Sequence, residues 1–190
     1  MAKKKNKGKF LSTFFSERKQ VGAVAPSSRF LVKSMCDKID FENANVILEL
    51  GPGTGVFTSE LLKRSKENTK IITLELNEDF YNLLVEKFDD SRLEILFRSA
   101  DEIEEILKER GIEKVDAILS SLPLTVIPKE IKNKIVNQSY EALKENGIYV
   151  QYQYSLNAKK LLERTFGKMK MGFVAVNMPP AFVYLGTKKS

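Results

Sequence analysis

The chain has 190 residues, 43% of them hydrophobic, a formal net charge of +6 and no histidine. That length and composition suit one ordinary soluble domain. The missing histidine excludes a Ser-His-Asp triad and removes the commonest zinc ligand. A single cysteine, Cys36, rules out an intramolecular disulfide and fits a small core residue in a reducing cytoplasm. No apolar stretch approaches the roughly 20 residues of a membrane span.

The charge is concentrated at the start. Residues 1–20 hold Lys3, Lys4, Lys5, Lys7, Lys9, Arg18 and Lys19 against Glu17, so the whole +6 sits there and the rest of the chain is neutral. Phe10, Leu11, Phe14 and Phe15 cluster on one face if this arm is helical. The apolar run is too short for a signal-peptide core. A basic amphipathic arm over 1–20 predicts contact with an anionic membrane surface, where each lysine contributes on the order of 1 kcal/mol. Three other readings stay open: packing on the domain, a solvated tail, and RNA contact through phosphate.

Residues 21–190 read as one alternating α/β domain. A helix is expected from about Ser28 to Ile39, capped by Ser27 after Pro26. Val46–Leu50 forms a strand, then a glycine turn, then a helix to about Arg64. Lys70–Leu76 is a β-branched strand, and Asn77 caps a helix reaching Phe88, with Glu78 and Asp79 in its first turn. A strand at Leu93–Phe97 leads to a helix from about Asp101 to Arg110, stopped by Gly111. Val115–Leu119 is the fourth strand. Pro128 starts a long helix ending near Lys144, and Ile148–Tyr154 is the fifth strand. A short helix near Ala158–Phe166 precedes two last strands, near Gly172–Asn177 and Ala181–Gly186, turned by Pro179-Pro180. The alternation implies a doubly wound, mostly parallel sheet with ligands at the carboxyl ends of its strands, closed by an antiparallel hairpin.

The chemistry concentrates in VILELGPGTG, Val46 to Gly55. Glycine lets backbone approach a ligand closely and tolerates positive φ, so Glu49, Gly51, Gly53 and Gly55 mark a nucleotide-binding corner. Val56 stands where a dinucleotide fingerprint needs glycine, and no phosphate-loop lysine follows. Glu75 closes the second strand, where an acceptor-only carboxylate suits ribose hydroxyls; a solvated charge is the alternative.

The pattern E-x-G-x-G-x-G resembles motif I of class I methyltransferases, which bind S-adenosylmethionine. That resemblance implies that the glycines make room for the methionine part of the cofactor and that Asp101 accepts from the adenine amino group, unless it is simply a helix-terminal acid. After the fourth strand comes Ser120-Ser121-Leu122-Pro123-Leu124. Adenine-N6 methyltransferases carry N-L-P-Y or N-P-P-Y here, so Ser121 replaces the asparagine. Leu124 replaces the aromatic that would stack on a flipped base.

VGAVAPSS at 21–28, ELGPGTGVFT at 49–58, SSLPL and NMPPAFVY at 177–184 occur in an order that resembles the bacterial phosphatidylethanolamine N-methyltransferase family. These are class I S-adenosylmethionine-dependent enzymes of the membrane surface, related in sequence to rRNA adenine dimethyltransferases. The resemblance implies a Rossmann-like methyltransferase fold, S-adenosylmethionine as cofactor, and an anionic membrane surface and phospholipid as partners. It places the protein in the cytoplasm, peripheral to the inner face of the membrane. It also implies that Ser27 and Ser28 lie near the methionine end of the cofactor, that Ser121 lies beside it, and that the amino-terminal helix binds lipid and gates the site. The rRNA enzymes usually carry a further helical RNA-binding domain, for which this chain has no residues left.

Methyl transfer to an amine relies mainly on proximity and alignment. Without histidine, the proton acceptor would be a tyrosine, a carboxylate, a water chain or the lipid phosphate. Tyr154 and Tyr184, with Tyr152, lie near strand ends and are the side-chain choices. No metal is needed and no metal-ligand cluster is visible. An rRNA adenine N6-methyltransferase and a non-catalytic S-adenosylmethionine-binding module remain the alternatives.

Overall fold

A computed structural model describes residues 27–189; the basic arm and the VGAVAP segment that follows it lie outside the described residues. The helices are α1 (Arg29–Cys36), α2 (Val56–Arg64), α3 (Glu78–Lys87), α4 (Ile103–Glu109), α5 (Lys129–Ala142) and α6 (Lys159–Phe166). The strands are β1 (Val46–Leu50), β2 (Lys70–Glu75), β3 (Leu93–Phe97), β4 (Val115–Ser120), β5 (Leu143–Gln153), β6 (Lys170–Val174) and β7 (Ala181–Thr187). They form one seven-stranded sheet in the order β3-β2-β1-β4-β5-β7-β6. The first five strands run parallel, and β7 lies antiparallel between β5 and β6. This is the doubly wound, mostly parallel α/β sheet with a closing antiparallel hairpin that the alternation predicts, and it agrees with the class I methyltransferase fold that the resemblance implies.

Local chemistry explains most of the boundaries. The Asn77 side chain accepts from the Phe80 N–H at 3.0 Å and caps α3, and Glu78 and Asp79 face its positive end. Gly111 takes φ +64° just past α4. A 3₁₀ turn, Ala100–Glu102, precedes α4 where a longer helix was expected. Ser28, not Ser27, caps α1: its hydroxyl accepts from the Leu31 N–H at 3.3 Å. The largest difference concerns α5, which ends at Ala142, while β5 begins at Leu143. Leu143 pairs with Val115, a register shift follows before Ala117 pairs with Ile148, and Asn146 takes φ +62° to absorb it. Burial of Leu143 in the sheet outweighs the helix-friendly sequence around it.

The sheet separates two cores. One face packs Leu48, Leu50, Ile72, Leu74, Ile118 and Tyr149 beneath α4, α5 and α6. The other packs Ile47, Ile71, Ala117, Leu119 and Val183 beneath α1 and α2, with Cys36 buried among them. Burial pushes the Cys36 thiol up to about 12, so it is an inert packing group.

A tight seam joins β7 to α6 and the turn after it. A Cβ at Gly186 would lie 2.7 Å from Met169 Sδ and 2.9 Å from Phe166, whose ring stacks on Tyr149 at 4.8 Å. Gly186→Ala should cost about 1–3 kcal/mol by overpacking. It should lower the urea midpoint while leaving ligand binding at the opposite edge of the sheet unchanged.

Candidate functional site

The strand order reverses between β1 and β4, and ligands of open parallel sheets bind at the carboxyl ends of such a switch point. The loop Gly51–Gly55 leaves β1 there. All three glycines take positive φ: +69°, +57° and +76°. Their reasons differ. A Cβ at Gly51 would meet Leu122 Cδ2 at 2.8 Å, and one at Gly55 would meet Phe88 and Leu84 at 2.6 and 2.8 Å. These two make room for the protein itself. Gly53 has nothing within 4 Å of that position, so it alone faces open space.

Two carboxylates lie under this loop. Glu49 is fully buried. Its Oε2 accepts from the Thr58 hydroxyl at 2.7 Å and the Thr73 hydroxyl at 3.1 Å, while its Oε1 is sealed off without a partner. Burial pushes this carboxyl up to about 7, against the threonine bonds and reinforced by Glu75. Glu75 is also buried. Its Oε1 accepts from the N–H groups of Leu76 and Asn77, both at 2.8 Å, and its Oε2 accepts from the Gly53 N–H at 3.1 Å. Burial raises its pKa and these three bonds oppose the rise. Glu75 therefore ties the end of β2 to the one glycine that faces open space, with one lone-pair position left on Oε2.

Asp101 sits in the 3₁₀ turn after β3, nearly buried. It accepts from the Ser99 hydroxyl, and Lys134 reaches its Oδ2 at 3.7 Å. Ser121 donates its N–H to Leu50 O at 2.9 Å, and its hydroxyl is sealed off without a partner. The Ser121–Leu124 loop thus abuts the glycine loop through backbone and through the Leu122 side chain. Leu124, at the position of a base-stacking aromatic, is buried in the core below.

Sequence reasoning missed Gln151 and Gln153. Both amides donate to Leu122 O, at 2.9 and 2.8 Å. The available signal was the Gln-Tyr-Gln alternation, which puts both amides on one sheet face and Tyr152 on the other.

Ser28 donates its N–H to Asn177 Oδ1 at 2.9 Å, and Asn177 Nδ2 donates to Pro179 O at 2.7 Å. Ser28 of one distinctive segment and Asn177 of the other therefore meet at the carboxyl edge. Ser27 is partly exposed beside them. The tyrosines do not converge. Tyr152 packs against Phe57 and Tyr154 on the α2 face. Tyr184 lies fully buried on the other face, its hydroxyl 3.4 Å from Ser155 O. Burial, with a lesser contribution from Glu163, pushes its phenol up, which opposes use as a base near neutral pH. The arm residues Lys3 to Phe15 lie outside the described residues. Among the described residues, no helix is long and apolar enough to cross a membrane, and no group of three or more His, Cys, Asp or Glu could hold a metal ion.

The sequence pattern of the ribosomal RNA adenine dimethylase family matches residues 15–172. The chain is 31% identical over 185 residues to an ornithine lipid N-methyltransferase of Singulisphaera acidiphila, covering 95% of this chain and 96% of that protein. It is 36% identical over 97 residues to the ribosomal RNA small subunit methyltransferase A of Mycoplasma capricolum subsp. capricolum, but that stretch is 49% of this chain and only 34% of the relative. Among solved structures, the 1,6-didemethyltoxoflavin-N1-methyltransferase of Burkholderia thailandensis superposes with a TM-score of 0.70 at 12% identity, over 95% of this chain and 88% of that one. That likeness concerns the fold.

Glu49 leaves a signature in stability. Its carboxyl titrates near 4.5 when unfolded and about 7 when folded. Its contribution to folding is therefore fully present below about 4.5 and is lost as pH rises to about 7. Glu75 titrates in the same direction, whereas Asp90, held at about 2 by Arg92, is ionised throughout this window. Urea midpoints should fall as pH rises through this range. Glu49→Gln should shrink that fall without abolishing it; an unchanged slope would refute the buried carboxyl.

Proposed function

The chain belongs to the ribosomal RNA adenine dimethylase family of S-adenosylmethionine-dependent methyltransferases, and on that basis we propose that it methylates the amine head group of a membrane lipid. The observation that carries this reading is the full-length similarity to a lipid N-methyltransferase; the rRNA relatives match over between 27% and 49% of their length. Leu124 supports it, because a side chain buried in the core offers no face to a flipped base. An amino lipid such as phosphatidylethanolamine or ornithine lipid fits the chemistry.

The residues present fit the cofactor. Gly53 leaves space for close approach, Glu75 would accept from a ribose hydroxyl, and Asp101, one strand further, would accept from the adenine amino group. Ser27 and Ser28, at the mouth beside Asn177, would border the methionine end, with Ser121 between cofactor and acceptor. Glu49 acts from below, holding Thr58 of α2 and Thr73 of β2 together under the loop. When bound, S-adenosylmethionine supplies an electrophilic methyl on sulfonium. The chain's work is then to align an amine lone pair with that methyl and exclude water. Tyr184 does not serve as the base in this reading. Tyr154, nearer the edge, stays a proposal, and the lipid phosphate or water are the other routes for the proton.

Contact with a bilayer has support outside the arm. Leu156, Phe173, Val176 and Met178 are exposed, Met178 by 83% and Val176 by 65%. Leu156, Val176 and Met178 lie just beyond the ends of β5 and β6, at the carboxyl edge. Lys160, near Leu156 in the chain, is also exposed. Exposed apolar tips at this edge suit a lipid interface. The arm, with Lys3 to Lys9 and Phe10 to Phe15, adds a second contact.

Labelled S-adenosylmethionine should transfer label to vesicles containing phosphatidylethanolamine or ornithine lipid, and not to unmodified small-subunit rRNA. Label in RNA alone would sink the lipid reading. Deleting residues 1–20 should weaken sedimentation with anionic vesicles by tenfold or more, on the order expected for several lysines, with cofactor affinity unchanged. Vesicle binding that survives intact would rule out the arm as the anchor.

A further inference from the structure

Leu122 O accepts three hydrogen bonds: from Leu124 N–H at 2.9 Å, Gln151 Nε2 at 2.9 Å and Gln153 Nε2 at 2.8 Å. A carbonyl has two lone pairs, so this one has no capacity left for a substrate N–H. The contact also sets the orientation of the Gln153 amide, because only its NH₂ end can pair with a carbonyl. Its Oε1 must then point elsewhere. The two glutamines differ at this atom. Gln151 Oε1 accepts the Tyr149 hydroxyl at 2.7 Å. Gln153 Oε1 accepts no hydrogen bond from the described residues, and it is not among the unpartnered atoms sealed from solvent. Gln153 is only 4% exposed, so this oxygen is a fixed acceptor on a nearly buried side chain.

Its place is informative. Gln153 ends β5, and Leu122 lies in the loop after neighbouring β4. Leu122 in turn fills the space against Gly51, in the loop after β1. Along the carboxyl edge the order is glycine loop, Leu122, Gln153. An acceptor approaching a cofactor held by the glycine loop and Glu75 would come from the side of β4 and β5.

We propose that Gln153 Oε1 receives an N–H of the amine being methylated and thereby selects acceptors that still carry one. This rests on the amino-lipid reading above. In the step, an N–C bond forms as the sulfonium S–C bond breaks; sulfur keeps the bonding pair, and the new ammonium then loses a proton to water or phosphate. Gln153 takes no proton. It directs one N–H away so that the lone pair faces the methyl. Primary and secondary amines have both an N–H and a lone pair; a tertiary amine has only the lone pair. The geometry therefore favours the first two transfers over a third.

The test uses the full chain, labelled S-adenosylmethionine and vesicles carrying phosphatidylethanolamine or ornithine lipid with zero, one or two N-methyl groups. Wild type should use the zero- and one-methyl lipids about tenfold faster than the two-methyl lipid, the scale of one net hydrogen bond. Gln153→Leu should lose about tenfold on the first two, with the third and the cofactor affinity unchanged. Leu122 O keeps two donors in that variant, so the loop has reason to stay. Gln151→Leu, which loosens the loop without touching the open oxygen, should slow all three alike. An equal loss on all three lipids with Gln153→Leu, or no loss, would overturn the proposal while leaving lipid methylation intact. No label in any of these lipids with the wild-type chain would overturn the amino-lipid reading and this assignment together.

Discussion

Two carboxylates lie buried at the carboxyl ends of neighbouring strands, and the cofactor corner is arranged around the cost of desolvating them. An isolated buried charge is prohibitive, so each needs donors close at hand. Glu49 draws the hydroxyls of Thr58 and Thr73 onto one oxygen, which pins α2 to β2. Glu75 takes three backbone N–H groups, two from the turn after β2 and one from Gly53. The turn of the glycine loop and the start of α3 follow from satisfying these two acids. A corner held this way is rigid before any ligand arrives, which is what alignment-driven transfer needs.

The loop after β4 divides that corner from the acceptor side. Its backbone and side chain serve the glycine loop through Ser121 N–H and Leu122, while its carbonyl is taken up by β5. Where an adenine enzyme would raise an aromatic, this chain sinks Leu124 into the core. A leucine there offers no stacking surface and packs in the core instead. Family membership sets the methyl donor, and in the proposed reading this short segment with β5 would set what the methyl can reach.

Much of this was legible in the residue order, and the failures have a common cause. β1 and β3 match their expected bounds because apolar β-branched runs flanked by turn residues are local signals. Asn77 and Gly111 are legible for the same reason. The cap of α1 shifted by one residue because Ser27 and Ser28 are equivalent locally, and a contact 149 positions away, with Asn177, distinguishes them. Leu143 was read as helix because only its partner Val115 makes it strand. Glu49 and the glycines were read as facing a ligand, yet Glu49, Gly51 and Gly55 face the protein. Tyr184 was singled out by its place near a strand end, and the pleat turned it inward. Gln153 became informative only once its partner on another strand was known.

The position of β7 has a consequence for how the molecule is made. The last strand in sequence is not at the edge; it sits between β5 and β6, and β6 joins the sheet only through it. α1, the first described helix, packs on β5, β6 and β7. A chain emerging from the ribosome therefore cannot complete the pairing of β5 or attach β6 until residues 181–187 have been delivered. Such long-range dependence slows folding and holds apolar surface open meanwhile. The half of the sheet from β3 to β4 can form early, so the glycine-loop corner can mature before β7 arrives.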